Sequence, residues 1–233
     1  MRTYRFKYTK GEELKLLGYL DMMVAFQRAI KRAKLPIAFS NGFNPHQLLT
    51  FASPLSLGYT SEGEYGDLRL KEELAAEEVK ERLGAQLPDG MELLRVTAIG
   101  DEAKNTMASL VAARYRVTLP KTIAAEGFGA VLERFWAQKE ILADKKTKKG
   151  MVQTNIKPLI FSLQDATKEN KAAMEMVLAM GSVQSLRADA VVASLCEFCG
   201  VPFGPYDASY HRIDLYQQGQ AGFVPLDEEV PLP

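Results

Sequence analysis

The residues that could do chemistry gather around one short stretch, Phe39-Ser40-Asn41-Gly42-Phe43-Asn44-Pro45-His46. His46 follows Pro45 on a tight turn, with Asn41 and Asn44 beside it. A turn of this kind holds an imidazole rigidly, either for proton transfer or for hydrogen bonding to a ligand. A neighbouring carboxylate would fix the tautomer of the ring. Asp21, Glu64 and Asp67 can fill that place if the first helix and the third strand flank the turn. Asp21, His46 and Glu64 are therefore the candidate acid–base set. The plain alternative is structural: His46 caps backbone carbonyls, Asp21 serves its helix N-terminus, and Glu64 and Asp67 are solvated strand positions.

Other residues suit binding. Arg28, Lys31 and Arg32 give the end of the first helix a basic character. They fit either the negative end of the helix dipole or the phosphates of a ligand. With Asn41, Gly42, Phe43, Asn44 and His46 they form the candidate substrate-binding set. Lys145, Lys146, Lys148 and Lys149 make a second basic cluster, read as a phosphate contact or a solvated hairpin tip. Tyr4, Tyr8 and Phe43 can stack bases if a sheet exposes them, although aromatics at strand spacing are usually core. Cys196 and Cys199 have Cys-x-x-Cys spacing. Zinc would need two more ligands, and only His46 and His211 are at hand, neither at finger-like spacing. The pair closes a helix instead of opening one, so structural cysteines are expected, with no metal and no cofactor of the chain's own. There is no phosphate-binding Walker loop, no Rossmann glycine fingerprint and no radical SAM three-cysteine signature.

The whole chain sets the frame for these groups. Its 233 residues allow one large domain or two small ones. Lys plus Arg and Asp plus Glu number 29 each, so no global charge favours nucleic acid and any such binding would use a local patch. Two cysteines make no disulfide framework. No apolar run reaches membrane-span length, and the N-terminal residues lack a signal-peptide core. The expected setting is cytoplasmic, without a membrane partner.

Periodicity places the elements. Arg2 to Tyr8 alternates as a strand, and Thr9-Lys10-Gly11 reads as a turn. Leu20 to Lys34 carries a helical stripe of Met23, Phe26, Ile30 and Ala33 that Pro36 ends. Short strands are expected at 37–39 and 47–52, a strand at 63–70 with Tyr65 and Asp67 on one side, a helix at 75–83 and a strand at 91–99. The order then repeats: a strand at 113–119, a helix at 124–138, extended segments at 141–142, 151–156 and 159–163, a strand at 174–179, a helix at 187–198 capped by Ser185, and a strand at 210–216. This predicts an α+β fold of two ferredoxin-like βαββαβ halves. Residues 1–104 form the first half, 105–220 the second, and 221–233 an irregular acidic and proline-containing tail.

Several of these residues carry a family resemblance. They are Leu20-Asp21, Phe26 to Pro36, Phe39 to His46, Gly58, Ser61 to Tyr65 and Asp67, at their particular order and spacing. With them the chain resembles the radical-SAM-linked protein family of unknown function, as a free-standing member. Weaker likeness follows in Ile156-Lys157-Pro158-Leu159, Arg212 and Leu215-Tyr216. The family pattern has Ser-His where this chain has Gly18-Tyr19, and often Pro where it has Gln47. The resemblance implies a radical SAM protein as partner and a setting of RNA or a ribosomal component. It leaves three uses open. One is a non-catalytic accessory or substrate-binding protein. Another is an RNA-modifying or RNA-processing enzyme using Asp21 or His46. The last is a scaffold that docks its partner through 55–59.

Overall fold

Strand β1, Arg2–Lys10, puts Tyr4, Phe6 and Tyr8 on one face and Arg5 and Lys7 on the other, because side chains alternate along an extended chain. The computed structural model describes residues 1–100, 102–147 and 150–228. Helix α1, Tyr19–Arg32, follows, with Met22, Phe26, Ala29 and Ile30 turned inward at three- and four-residue steps. It ends where Lys34 takes a left-handed conformation (φ 52°) and the Leu35 amide reaches back to the Ile30 carbonyl at 3.2 Å, a Schellman closure with lysine in the usual glycine position. Strand β2, Leu49–Phe51, strand β3, Thr60–Leu70, helix α2, Ala76–Gly84, and strand β4, Leu93–Ile99, complete the first pass. Their sheet order is β4-β1-β3-β2 with antiparallel neighbours, so both helices are crossovers of the split βαβ kind.

Apolar burial holds this unit together. Phe6, Tyr8, Phe26 and Phe51 form one aromatic cluster in which Tyr8 and Phe26 meet edge-on at 4.8 Å and Phe26 and Phe51 at 5.2 Å. Each such pair adds about 0.5–1.5 kcal/mol beyond the area it buries. Val79 and Leu83 of α2 close the other end of the same core.

The second pass starts after a single helical turn, α3 at Thr106–Ser109, capped by the Asn105 side chain. It runs through β5 (Leu110–Thr118), α4 (Phe128–Ala137), β6 (Leu142–Thr147), β7 (Gly150–Asn155), β8 (Ile160–Asp165), β9 (Ala173–Ala179), α5 (Ala188–Phe198) and β10 (Ser209–Gln218). The order β10-β5-β9-β8 repeats that of the first unit, with β6 and β7 added as a separate two-stranded hairpin. Tyr115, Val117, Met174, Met176, Leu178, Val191 and Leu195 are among its buried residues. Both units are thus α+β with the ferredoxin-like strand order. Among the described residues no helix is long and apolar enough to cross a membrane.

The chain divides into Met1–Val111 with the segment from Asp214 onward, and Ala112–Ile213. Strand β10 therefore begins in the second unit and ends in the first. The expected tail is not wholly irregular: Phe223–Pro225 forms β11, which goes with the first unit and pairs with Tyr216–Gln218 of β10. Other local expectations shift. The region 37–39 makes only isolated bridges, Ile37 to Leu70 and Phe39 to Gln47. The expected turn at 9–11 is still strand through Lys10. α4 starts four residues late because Gly127 stands before it at φ 73°. Ser185 does not cap α5; Arg187 is the cap residue, without a side-chain bond, and the Ser185 hydroxyl lies 3.6 Å from the Met180 sulfur. Lys148, Lys149 and 229–233 lie outside the described residues, and Lys145 and Lys146 fall in β6.

Gly66 in β3 is a close-approach position. A Cβ there would lie 2.4 Å from Cζ of Phe6 and 2.8 Å from the Thr50 carbonyl oxygen. Gly66→Ala is expected to destabilise by about 1–3 kcal/mol, seen as a lower urea midpoint with an unchanged slope.

Candidate functional site

The 37–48 segment folds back on itself at the end of β3. The Ala38 amide donates to the Arg69 carbonyl (2.8 Å), the Leu48 amide to the Ala38 carbonyl (2.8 Å), and the Arg69 amide to the Leu48 carbonyl (3.0 Å). Its base is also tied to α1, since the Gln47 carboxamide donates to the Gln27 carbonyl at 3.4 Å. At the tip Gly42 adopts φ 117°, which a side chain would strain. Phe43, next to it, is fully exposed (106%).

His46 is engaged within this turn. Its Nδ1 lies 2.8 Å from Ser40 Oγ, and its amide donates to the same oxygen at 3.1 Å. Ser40 Oγ thus ties both the backbone and the ring of His46, and holds the imidazole by its Nδ1 edge. Ser40 was not among the expected site residues, although its hydroxyl six residues before an imidazole was a visible cue.

The expected pairing of this imidazole with a carboxylate is not formed. Among the described residues His46 has no acidic partner, and Asp21 is exposed in the first turn of α1 with no partner either. Glu64 is 1% exposed and opposes Tyr8, on the sheet face that packs against α1 and α2. Asp67 opposes Arg5, on the other face. Glu64 and Asp67 are thus separated by the sheet itself, and both are buried where solvated positions were the plain alternative. Tyr19 packs edge-on against Phe51 at 6.1 Å. Gly18 is the N-cap of α1 and supplies no side-chain bond.

Of the basic residues, Arg28 and Lys31 are exposed and have no partner among the described residues, while Arg32 donates to the Gln86 carbonyl and is a structural tie. Lys71 adds a cation 6.0 Å from the Phe39 ring. Asn41 and Asn44 are exposed, with no carboxamide partner among the described residues. Tyr4 and Tyr8 are core and present no ring to a ligand. Within 55–59 Leu57 is the exposed apolar residue, at 63%, and Leu55 and Tyr59 are buried. Among the described residues the tip therefore offers an aromatic face, two amides and an imidazole beside two unpartnered cations. Among the described residues no carboxylate is paired with that imidazole, the arrangement that would couple an acid to a base.

The sheet face opposite the helices carries a polar network that the sequence did not announce. Arg5 Nε and Nη2 meet the two oxygens of Asp67 at 2.9 and 3.3 Å, and the Thr106 amide donates to Asp67 Oδ2 at 2.8 Å. Arg5 also donates to the Leu226 and Lys104 carbonyls, each at 2.8 Å. Alongside, Lys7 pairs with Asp214 at 2.8 Å, and the Tyr65 hydroxyl lies 2.7 Å from Asp214 Oδ1 and 3.0 Å from Asp227 Oδ1. Burial, then the charges and acceptor oxygens of Asp214 and Asp227, push the Tyr65 hydroxyl far above its usual range, so it stays a neutral donor. Alternation placed Arg5 with Lys7 and Tyr65 with Asp67. Nothing local linked them to Asp214 and Asp227, 149 to 207 residues on along the bonded pairs.

Cys196 is buried in α5 and Cys199 is its half-buried C-cap residue. Burial, then the neighbouring Cys199 and Asp207, pushes the Cys196 thiol up to about 11. Burial also raises Cys199, against the pull of Arg134. Among the described residues no group of three or more His, Cys, Asp or Glu is disposed to hold a metal ion. Two measurements check these environments. At pH 8 about one Cys196 thiol in a thousand is ionised, so alkylation by iodoacetamide is expected to run at least about 100-fold slower than for a free thiol. Arg5→Met or Asp67→Leu alone is expected to cost about 3–5 kcal/mol in urea unfolding, whereas the double substitution, which leaves no orphaned charge, costs far less.

No curated protein matches the chain. Residues 3–188 match a family described as "uncharacterized protein conserved in bacteria" (DUF2344), and with four-fifths of its length inside that match the chain belongs to this family.

Proposed function

We propose that the chain is a non-catalytic, substrate-binding partner of a radical SAM protein, and that the substrate it presents is single-stranded RNA. The observation that carries the binding role is the tip of the 39–46 turn: a fully exposed Phe43, free amides at Asn41 and Asn44, and the unpaired cations Arg28 and Lys31 on the adjoining helix. An exposed ring stacks on any base, free amides read base edges, and cations take the phosphates. The class of partner rests on the resemblance carried by 20–46 and 58–67. The tie between His46 and Ser40, and the separate placing of Asp21, Glu64 and Asp67, favour binding over an acid–base reaction.

Fluorescence anisotropy with a labelled single-stranded RNA tests the substrate. Loss of one stacked base costs about 1–3 kcal/mol, so Phe43→Ala is expected to weaken binding about tenfold. Lys31→Ala should weaken it across sequences and lower the salt slope by about one. Absence of binding, or an affinity that ignores Phe43, overturns the RNA reading. For the partner, tagged chain recovered from its native cell should carry with it a protein bearing the radical SAM three-cysteine signature, and recovery without one overturns that part.

A further inference from the structure

The outward face of α1 is apolar at its centre where a solvated helix is normally polar. Leu20 is 72% exposed and Val24 40%, one helical turn apart. Leu16, 72% exposed, lies just before the helix. Leu57, 63% exposed, is brought alongside because the Gly58 amide donates to the Lys15 carbonyl at 2.8 Å. Such a strip on a soluble unit marks a contact surface.

The charges on this face select the occupant. Asp21 and Arg28 are seven residues apart, so they stand within about 20° of each other around the helix. Along its axis they are about 10 Å apart, too far to pair with one another. Each lacks an opposite charge three or four residues away on its own helix: Asp21 has Val24 and Ala25 ahead of it, and Arg28 has Val24 and Ala25 behind it. Neither has a partner among the described residues. Val24 and Ala25 are the midpoint of this pair. An antiparallel copy of the same helix, centred there, puts each Asp21 carboxylate opposite the other copy's Arg28 guanidinium. It also lays Leu20 on the aliphatic stems of the other copy's Gln27 and Lys31. In a two-fold contact residue i meets j while j meets i, and the face satisfies that condition with itself. A formally neutral chain sets up no net repulsion between copies.

We propose that the chain self-associates through α1, two copies packing antiparallel about a two-fold axis beside Val24, with two symmetric Asp21–Arg28 ion pairs flanking an apolar centre. One helix face with its flanking leucines is smaller than the roughly 800 Å² per partner of a standard interface, so the dimer forms at micromolar concentration. This goes beyond RNA binding. The RNA readout above uses Phe43 and Lys31 and is made below the dimerisation range, so the two ideas fail separately.

Sedimentation velocity on the full chain, from about 1 to about 200 µM, reads the association. The expected result is a rise from 25.9 kDa toward twice that mass with concentration. Leu20→Ser with Val24→Asp should keep the chain monomeric with its thermal midpoint intact, since neither side chain belongs to the core. Asp21→Arg alone and Arg28→Asp alone should each weaken the dimer about tenfold or more, and the two together should restore it to within about threefold, because the reversed pair is again self-complementary. A wild-type chain that stays monomeric over the whole range overturns the proposal and leaves the strip to a different protein. A dimer indifferent to the single reversals overturns the antiparallel α1 pairing.

Discussion

A charge taken out of water is tolerated only when nearly all of its hydrogen-bonding capacity is met, and the Arg5–Asp67 pair meets that condition. Three of the guanidinium nitrogens are used, on a carboxylate and two carbonyls, and the carboxylate takes a backbone amide as well. The groups that satisfy the pair come from β1, β3, the start of α3 with Lys104 just before it, and the C-terminal segment. Four separate pieces of chain are therefore fixed by one desolvated pair, and the rest of the first unit is arranged around keeping it intact. The Lys7, Tyr65, Asp214 and Asp227 contacts repeat the device one strand position along. The core on the opposite face is aromatic and supplies cohesion. The polar face supplies register, because a slip of β1 by one residue would bury Arg5 among Phe26 and Phe51.

Much of this architecture was legible because it is periodic. Tyr4, Phe6 and Tyr8 alternate, Phe26 and Ile30 keep helical spacing, and the element order βαββαβ appears twice. Ends of elements were less legible, since they depend on single backbone choices such as left-handed Gly127 or the cap at Arg187 where Ser185 looked apt. Strand continuity through Lys10 was hidden too, because a buried lysine reads as a turn residue until its ammonium is seen donating to the Lys15 and Leu17 carbonyls.

The site was legible in part for a related reason. The 39–46 turn announced itself by composition, and the exposed Phe43, Asn41, Asn44 and His46 follow from it. Which face of a strand each carboxylate takes follows from parity: Glu64 and Asp67 differ by an odd step and must point to opposite sides. The partners they find there depend on chain far away in sequence, which no local pattern encodes. The helix face of Leu20, Asp21, Val24 and Arg28 was likewise visible as residues but not as a surface, because its meaning depends on which side of α1 the sheet covers.

The return of the tail to the first unit has a consequence for how the chain is made. The second unit, Ala112–Ile213, is continuous and can fold as soon as it leaves the ribosome. The first cannot close its polar face until Leu226 and Asp227 have been synthesised, although β1 to β4 were made first. At about 5–20 residues per second that interval is roughly 6–26 s. Through it Arg5, Lys7 and Tyr65 lie on an uncovered strand face, so the unit that starts first is the one that finishes last.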